Sequence, residues 1–240
     1  MNKFVPPTVV LVHGAFADAS SFARVVPELL ADGVPVLAPA VPNRSLTGDA
    51  AYLASIVRRI SGPVLLVGHS YGGAVITVAG AEENVVGLVY LAGYALEQGE
   101  SLGELQGRFP DSDLASALVY SPYPAGDGGE GTDVSVDPAR FPAIFADDVD
   151  PDMAAVLAVS QRPLAAAAFT EAAPAAAWKT RPSWGIVASA DRTINPDVER
   201  FGYRRAGMAT TELDSSHLMM LSRPTDVVAV ILEAIRRTAG

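Results

Sequence analysis

The feature that most constrains this chain is an alternation of short β-branched runs with longer amphipathic stretches. That is the pattern of crossover connections on a mostly parallel sheet covered by helices on both faces. Strands are expected over Thr8 to Val12, Pro35 to Ala38, Val64 to Val67, Val85 to Leu91, Trp184 to Ala190 and Ala209 to Leu213. Helices are expected over Ser20 to Ala31, Thr47 to Arg59, Gly72 to Glu83, Asp197 to Ala206 and Pro224 to Thr238. Pro224 suits a first helical position, and Val227, Val228, Ile231 and Ile235 keep one apolar face of the last helix.

The alternation stops between Tyr94 and Pro182, where no strand-length β-branched run occurs and Pro, Gly and Ala accumulate. This divides the 240 residues into an α/β core, 1–93 and 183–240, and an insertion, 94–182, placed as a cap over the carboxyl ends of the strands. The middle of the insertion, from Ser121 to Asp133, reads as turn-rich and mobile. Pro151 to Val159 and Leu164 to Trp178 read as helices, the second kinked or ended by Pro174.

Composition narrows the function classes. The chain has no cysteine, which excludes a disulfide scaffold and thiolate metal ligation. Its formal net charge of -10 argues against nucleic acid or an anionic membrane as partner. That charge is uneven: Glu97 to Asp152 carries 13 acidic and 2 basic residues, which leaves the rest near neutrality. Met1 to Pro7 carry no apolar leader core, so a cytoplasmic location is expected. Self-association into a homodimer is left open.

The chemistry concentrates at Gly68-His69-Ser70-Tyr71-Gly72-Gly73, a buried strand running through Gly-x-Ser-x-Gly into a helix. A serine on so tight a turn is forced into a strained backbone conformation, with small flanking residues letting strand and helix approach. Ser70 is therefore the candidate nucleophile, and a serine hydroxyl needs a base to take its proton. Of three histidines, His69 should point away from Ser70 and His13 more plainly orders its own turn. That leaves His217, in a loop after the last strand, as general base. An imidazole in this role needs a carboxylate on its far nitrogen. Asp191, at the carboxyl end of a strand, is favoured over Asp214, Asp197 and Glu212. The backbone N–H of Tyr71 is one expected oxyanion donor, with Ala15, or alternatively Phe16, supplying the second.

With these residues in view, the chain resembles the α/β-hydrolase superfamily over essentially its whole length. It is most similar to the small, cofactor-free group that includes plant methylesterases and hydroxynitrile lyases. The resemblance rests on Leu11-Val12-His13-Gly14-Ala15, the elbow around Ser70, Asp191-Arg192-Thr193-Ile194-Asn195-Pro196, and Ser216-His217-Leu218-Met219-Met220-Leu221-Ser222-Arg223-Pro224. The chain order Ser70, Asp191, His217 is the family's, and the insertion lies where the family carries its cap. Few residues precede the first strand, as in that small group, which implies that the family's first two strands are absent.

Together these readings predict a serine hydrolase of small, neutral carboxylic esters, lactones and methyl esters included, working through an acyl-enzyme without metal or cofactor. Phe16, Tyr94, Phe145, Leu157, Trp178 and Met219 are candidate pocket residues. The resemblance also implies a rival, a hydroxynitrile lyase-like activity. Those relatives use a cap lysine to hold the leaving cyanide, and the only lysine near this cap is Lys179. A ligand-binding protein of the same fold with little turnover is the other alternative.

Overall fold

A computed structural model describes residues 6–126 and 128–238. Met1 to Val5 and Asp127, on which the readings of the amino terminus and of the turn-rich segment partly fell, lie outside the described residues.

The first half builds β1 (Thr8–Val12), α1 (Val25–Ala31), β2 (Val36–Leu37), α2 (Leu46–Val57), β3 (Val64–His69), α3 (Tyr71–Ala79) and β4 (Val85–Leu91). The insertion follows with α4 (Leu102–Gln106), β5 (Leu118–Pro124), β6 (Glu130–Val136), α5 (Phe141–Phe145), α6 (Pro151–Val159) and β7 (Leu164–Ala165). The chain then returns through β8 (Ser183–Ala188), α7 (Pro196–Arg205), β9 (Ala209–Leu213), α8 (Met219–Ser222) and α9 (Pro224–Thr238).

Six strands form a parallel sheet in the order β2-β1-β3-β4-β8-β9. Every residue of β3 is buried, which is what a central strand covered on both faces requires. Its neighbours Val9, Val10, Leu11 and Val12 on β1 and Leu88 to Leu91 on β4 are fully shielded as well. The register sets Val12 against Gly68 and His69 against Leu91, so β1, β3 and β4 end together. Side chains placed just beyond those ends meet at one edge of the sheet.

Several local expectations change. The helix expected from Ser20 to Ala31 is two pieces, a 3₁₀ turn at Ala19–Phe22 and then α1. Pro27 explains the break, since it cannot donate to residue 23 and is tolerated only in the first turn of a helix. Leu164 to Trp178 is not a helix: β7, a 3₁₀ turn at Ala166–Phe169 and another at Ala177–Lys179 take its place. The Ala-rich composition favours helix weakly, and pairing of β7 with β6 overrides it. Pro151 to Val159 is helical as expected, with the Asp150 side chain accepting from Met153 N–H.

The largest departure is the segment from Ser121 to Asp133, which is mostly strand. β5 and β6 pair antiparallel from Leu118↔Val136 to Pro124↔Glu130, and β7 completes a second sheet in the order β5-β6-β7. Pro122 and Pro124 sit on the edge strand, where a missing N–H costs no ladder bond on the open side. Exposed, proline-bearing and lacking a β-branched run, β5 carries none of the signals of a buried strand.

Ion pairs bind this acidic segment to the rest of the chain. Arg44 meets Asp133 at 2.6 Å, Arg205 meets Glu100 at 2.7 Å, Lys179 meets Glu97 at 2.5 Å and Arg192 meets Asp113 at 3.3 Å. Of these, Glu100 is the buried partner, and it takes Arg108 as well as Arg205.

Truncating the centre of the sheet tests this architecture. Leu66 on β3 is fully buried, and Leu66→Ala is expected to lower unfolding free energy by about 2–5 kcal/mol in urea titration.

Candidate active site

The site begins with the turn between β3 and α3. Ser70 sits there at φ 54 and ψ -122, a region that non-glycine residues avoid. The neighbours explain how it is held. A Cβ on Gly68 would lie 2.4 Å from the Gly72 carbonyl oxygen, and one on Gly72 would lie 2.3 Å from that of Val12. Glycine is thus required at both positions for strand, helix and β1 to pack this closely. Ser70 N–H donates to Leu91 O, and Ser70 O accepts from Gly73 and Tyr94 N–H. Its side chain is only 5% exposed.

The loop after β1 closes one side of the turn. A Cβ on Gly14 would come within 2.7 Å of the Ser70 Cβ, so this backbone abuts the serine. His13 is committed on both nitrogens: Nε2 accepts from Val41 N–H at 2.9 Å, which leaves Nδ1–H to donate to Gly14 O at 2.9 Å. Burial lowers its pKa, in keeping with a neutral ring that orders the loop. Phe16 N–H, the alternative oxyanion donor, is already spent on Arg162 O at 2.9 Å. The N–H of Ala15 has no hydrogen-bond partner among the described residues, and that of Tyr71 is an orphan donor at the first position of α3.

Behind the turn, His217 and Asp191 meet across the ends of β8 and β9. Both side chains are fully buried, with His217 Nδ1 2.6 Å from Asp191 Oδ2. The other carboxylate oxygen accepts from Thr193 N–H at 2.6 Å and Ile194 N–H at 3.1 Å. With both Asp191 oxygens accepting, Nδ1–H is the donor to Oδ2 and Nε2 is the nitrogen left with a free lone pair. That Nε2 is buried and has no hydrogen-bond partner among the described residues, Ser70 Oγ included.

His69 points away from the serine as expected, with Nε2–H donating to the His217 carbonyl at 3.0 Å. Its ring lies 4.5 Å from that of His217. Burial first, and then the neighbouring His217, push its pKa well below the ordinary 6.5 and hold it neutral.

Phe145 stands edge-on to the His217 ring at 4.6 Å and to Phe16 at 5.9 Å, so one expected pocket residue lies on the base and a second packs against it. Met219 is buried two residues beyond His217. Tyr94 reaches Ser70 through its backbone, and its hydroxyl donates to Gln106 at 2.9 Å. Trp178 is engaged elsewhere, its indole N–H donating to Leu96 O and its ring packing against Arg205 and Lys179. Leu157 is buried in α6 and, like Trp178, makes no hydrogen bond or ring contact with Ser70, Asp191 or His217 among the described residues.

A buried acid that no sequence motif singles out stands behind the site. Glu199 on α7 is 1% exposed and accepts from Ala188 N–H at 3.1 Å, behind Asp191. Its signal was helical phase: it shares the buried face of α7 with Val198, Gly202 and Tyr203. The helix also starts one residue earlier than expected, with Asn195 as the cap that accepts from Asp197 N–H.

A strained serine at a strand-to-helix turn, an aspartate after β8 and a histidine after β9 define the class. This chain belongs to the alpha/beta hydrolase family, whose model matches residues 9–230. It is 25% identical to the alpha/beta hydrolase nvfD of Aspergillus novofumigatus over 256 residues, covering 95% of this chain and 96% of that one. The crystal structure of polyneuridine aldehyde esterase superposes with a TM-score of 0.82 at 18% identity, covering 95% of this chain and 99% of that one. A methylesterase from Arabidopsis does so with a TM-score of 0.78 at 20% identity, covering 96% and 99%. At these identities the solved structures share the fold with this chain.

Packing at the turn makes a sharp expectation. Gly72→Ala cannot be absorbed beside the Val12 carbonyl and is expected to lower stability by about 2 kcal/mol or more, read by thermal and urea unfolding.

Proposed function

We propose that this chain is a serine hydrolase of small-molecule carboxylic esters. The observation that carries the reading is the His217 ring, tied to Asp191 at one nitrogen and buried without a partner at the other. A neutral imidazole held in that tautomer is a base waiting for a hydroxyl proton.

In the proposed cycle Ser70 Oγ attacks the ester carbonyl while His217 Nε2 takes its proton, and Asp191 stabilises the imidazolium. The tetrahedral oxyanion is received by the N–H groups of Tyr71 and Ala15, at a helix N-terminus whose dipole favours negative charge. His217 returns the proton to the leaving alcohol, which departs and leaves Ser70 acylated. Water, deprotonated by the same nitrogen, then releases the acid and restores the serine. Lactones and methyl esters fit the same steps, and esterase and methylesterase activities named for the structural relatives agree with this class.

Lys179 favours hydrolysis over a lyase reaction. Its ammonium is half-exposed and paired with Glu97, so it serves the surface and is not a cation for a leaving cyanide. Phe145 against the base, with Phe16 packed on it, suits an apolar acyl or alcohol group. We place the protein in the cytoplasm; no helix among the described residues is long and apolar enough to cross a membrane.

Ser70→Ala is expected to abolish p-nitrophenyl acetate turnover and labelling by a serine-directed phosphonate; turnover that survives it would falsify the assignment. Asp191→Asn should leave the fold intact and lower kcat by about 10⁴-fold, because the ring loses its tautomer.

Charge adds a selectivity. Asp147, Asp148 and Asp214 line a surface hollow beside the His217 loop together with Arg223. Anionic esters should therefore be cleaved more slowly than neutral isosteres at low ionic strength. The gap should narrow as salt shortens the Debye length to about 8 Å and below. A neutral-to-anionic rate ratio that does not respond to salt rules this out.

A further inference from the structure

We propose that Glu199 stands in the fold as a neutral acid whose O–H donates to Asp191, holding the carboxylate that orients His217. It is a positioning residue, and its role rests on the assignment of Ser70, His217 and Asp191 above.

The geometry comes first. The Glu199 carboxyl is buried, with Oε2 on the Ala188 N–H at 3.1 Å. Oε1 is buried too and faces no donor among the described residues. The Ala188 residue that holds it also accepts, through its carbonyl, from Asp191 N–H at 3.3 Å, which sets the two buried acids beside each other, and two ionised carboxylates can only accept. One proton between them resolves the unpaired atom, because it turns Oε1 into a donor.

The proton belongs on Glu199. Asp191 already receives Thr193 N–H, Ile194 N–H and His217 Nδ1–H, whereas Glu199 receives a single backbone N–H. Of the two Asp191 oxygens, Oδ1 accepts twice and Oδ2 once, so Oδ2 has the lone pair to spare.

No cation among the described residues pairs with Glu199. Arg200, the next residue of α7, is held at the surface by Asp197 and Glu212. The Tyr203 hydroxyl is engaged with Gly93 N–H and the Tyr94 hydroxyl with Gln106. Burial, and after it the Asp191 charge, raise the Glu199 pKa well above the ordinary 4.5, in agreement with the geometry.

The consequence is a pH dependence with a definite sign. A carboxyl whose folded pKa exceeds its unfolded one contributes no penalty below 4.5, where it is protonated in both states. As pH rises above that value the unfolded state releases the proton and the folded state keeps it. Stability therefore falls until the folded pKa is passed. Beyond that point ionisation of Glu199 also removes the donor and sets a second negative charge against Asp191.

The test compares wild type, Glu199→Gln and Glu199→Ala. The amide of Gln donates as the acid does and cannot titrate. The melting temperature of Glu199→Gln minus that of wild type is expected to climb steadily from pH 4.5 upward. Ester turnover by Glu199→Gln should keep kcat within about threefold of wild type and lose the alkaline fall that Glu199 imposes on wild type, while Glu199→Ala should lose about tenfold or more in kcat at nearly unchanged KM.

A melting-temperature difference that is flat with pH, or a Gln variant as impaired as the Ala variant, overturns the proposal. The thermal measurement involves no turnover, so a flat difference with Ser70-dependent activity intact removes this proposal alone. Turnover that survives Ser70→Ala removes the reading of the site, and the positioning role with it.

Discussion

The close approach of three backbones around Ser70 is the constraint on which the rest of the site depends. Gly68, Gly72 and Gly14 each occupy a place where a Cβ would collide with a neighbouring segment. Without those side chains the end of β3, the start of α3 and the loop after β1 converge to van der Waals contact. The serine is thereby held at a positive φ. That strain is maintained by hydrogen bonds of the Ser70 backbone to Leu91, Gly73 and Tyr94, and by a central strand shielded on both faces. The parallel register finishes the arrangement, because strands that end together bring their following loops together.

Electrostatics at the sheet edge follows a graded pattern. Asp191 is surrounded by donors in a buried place, accepting on both carboxyl oxygens. His69 has one good bond and is kept neutral by burial. Glu199 has the fewest donors of the buried acids here and shares Ala188 as a backbone partner with Asp191. Isolation from solvent thus separates these groups by their local donors, and His69 Nδ1 and His217 Nε2 are both buried ring nitrogens without a partner. The acidic insertion behaves differently. Four of its carboxylates meet Arg44, Lys179, Arg192 and Arg205, and the exposed pairs among these stabilise weakly and mainly set orientation.

The core was readable because its signals are local. β-branched runs, caps and the Gly-x-Ser-x-Gly turn each require certain residues at certain spacings, and β1, β3, β4 and β9 lie where those spacings put them. The insertion was not readable for the opposite reason. β5 is an exposed edge strand with prolines, and β7 is two residues long; each exists through its partner in β6 and not through its own composition. Glu199 was overlooked on similar grounds, since a glutamate in an amphipathic helix is ordinarily solvated and only the phase of α7 turns this one inward.

From the sequence alone came the class of fold and the candidate nucleophile, base and acid, because turn geometry and chain order restrict which residue types can stand there. Tertiary structure alone decided which nitrogen of His217 is free, that Phe16 N–H is already occupied while Ala15 N–H is not, and that Glu199 and Asp191 share one buried place. Those are relations between segments far apart in the chain, set by packing and by the matching of donors to acceptors, and no stretch of residues carries them by itself.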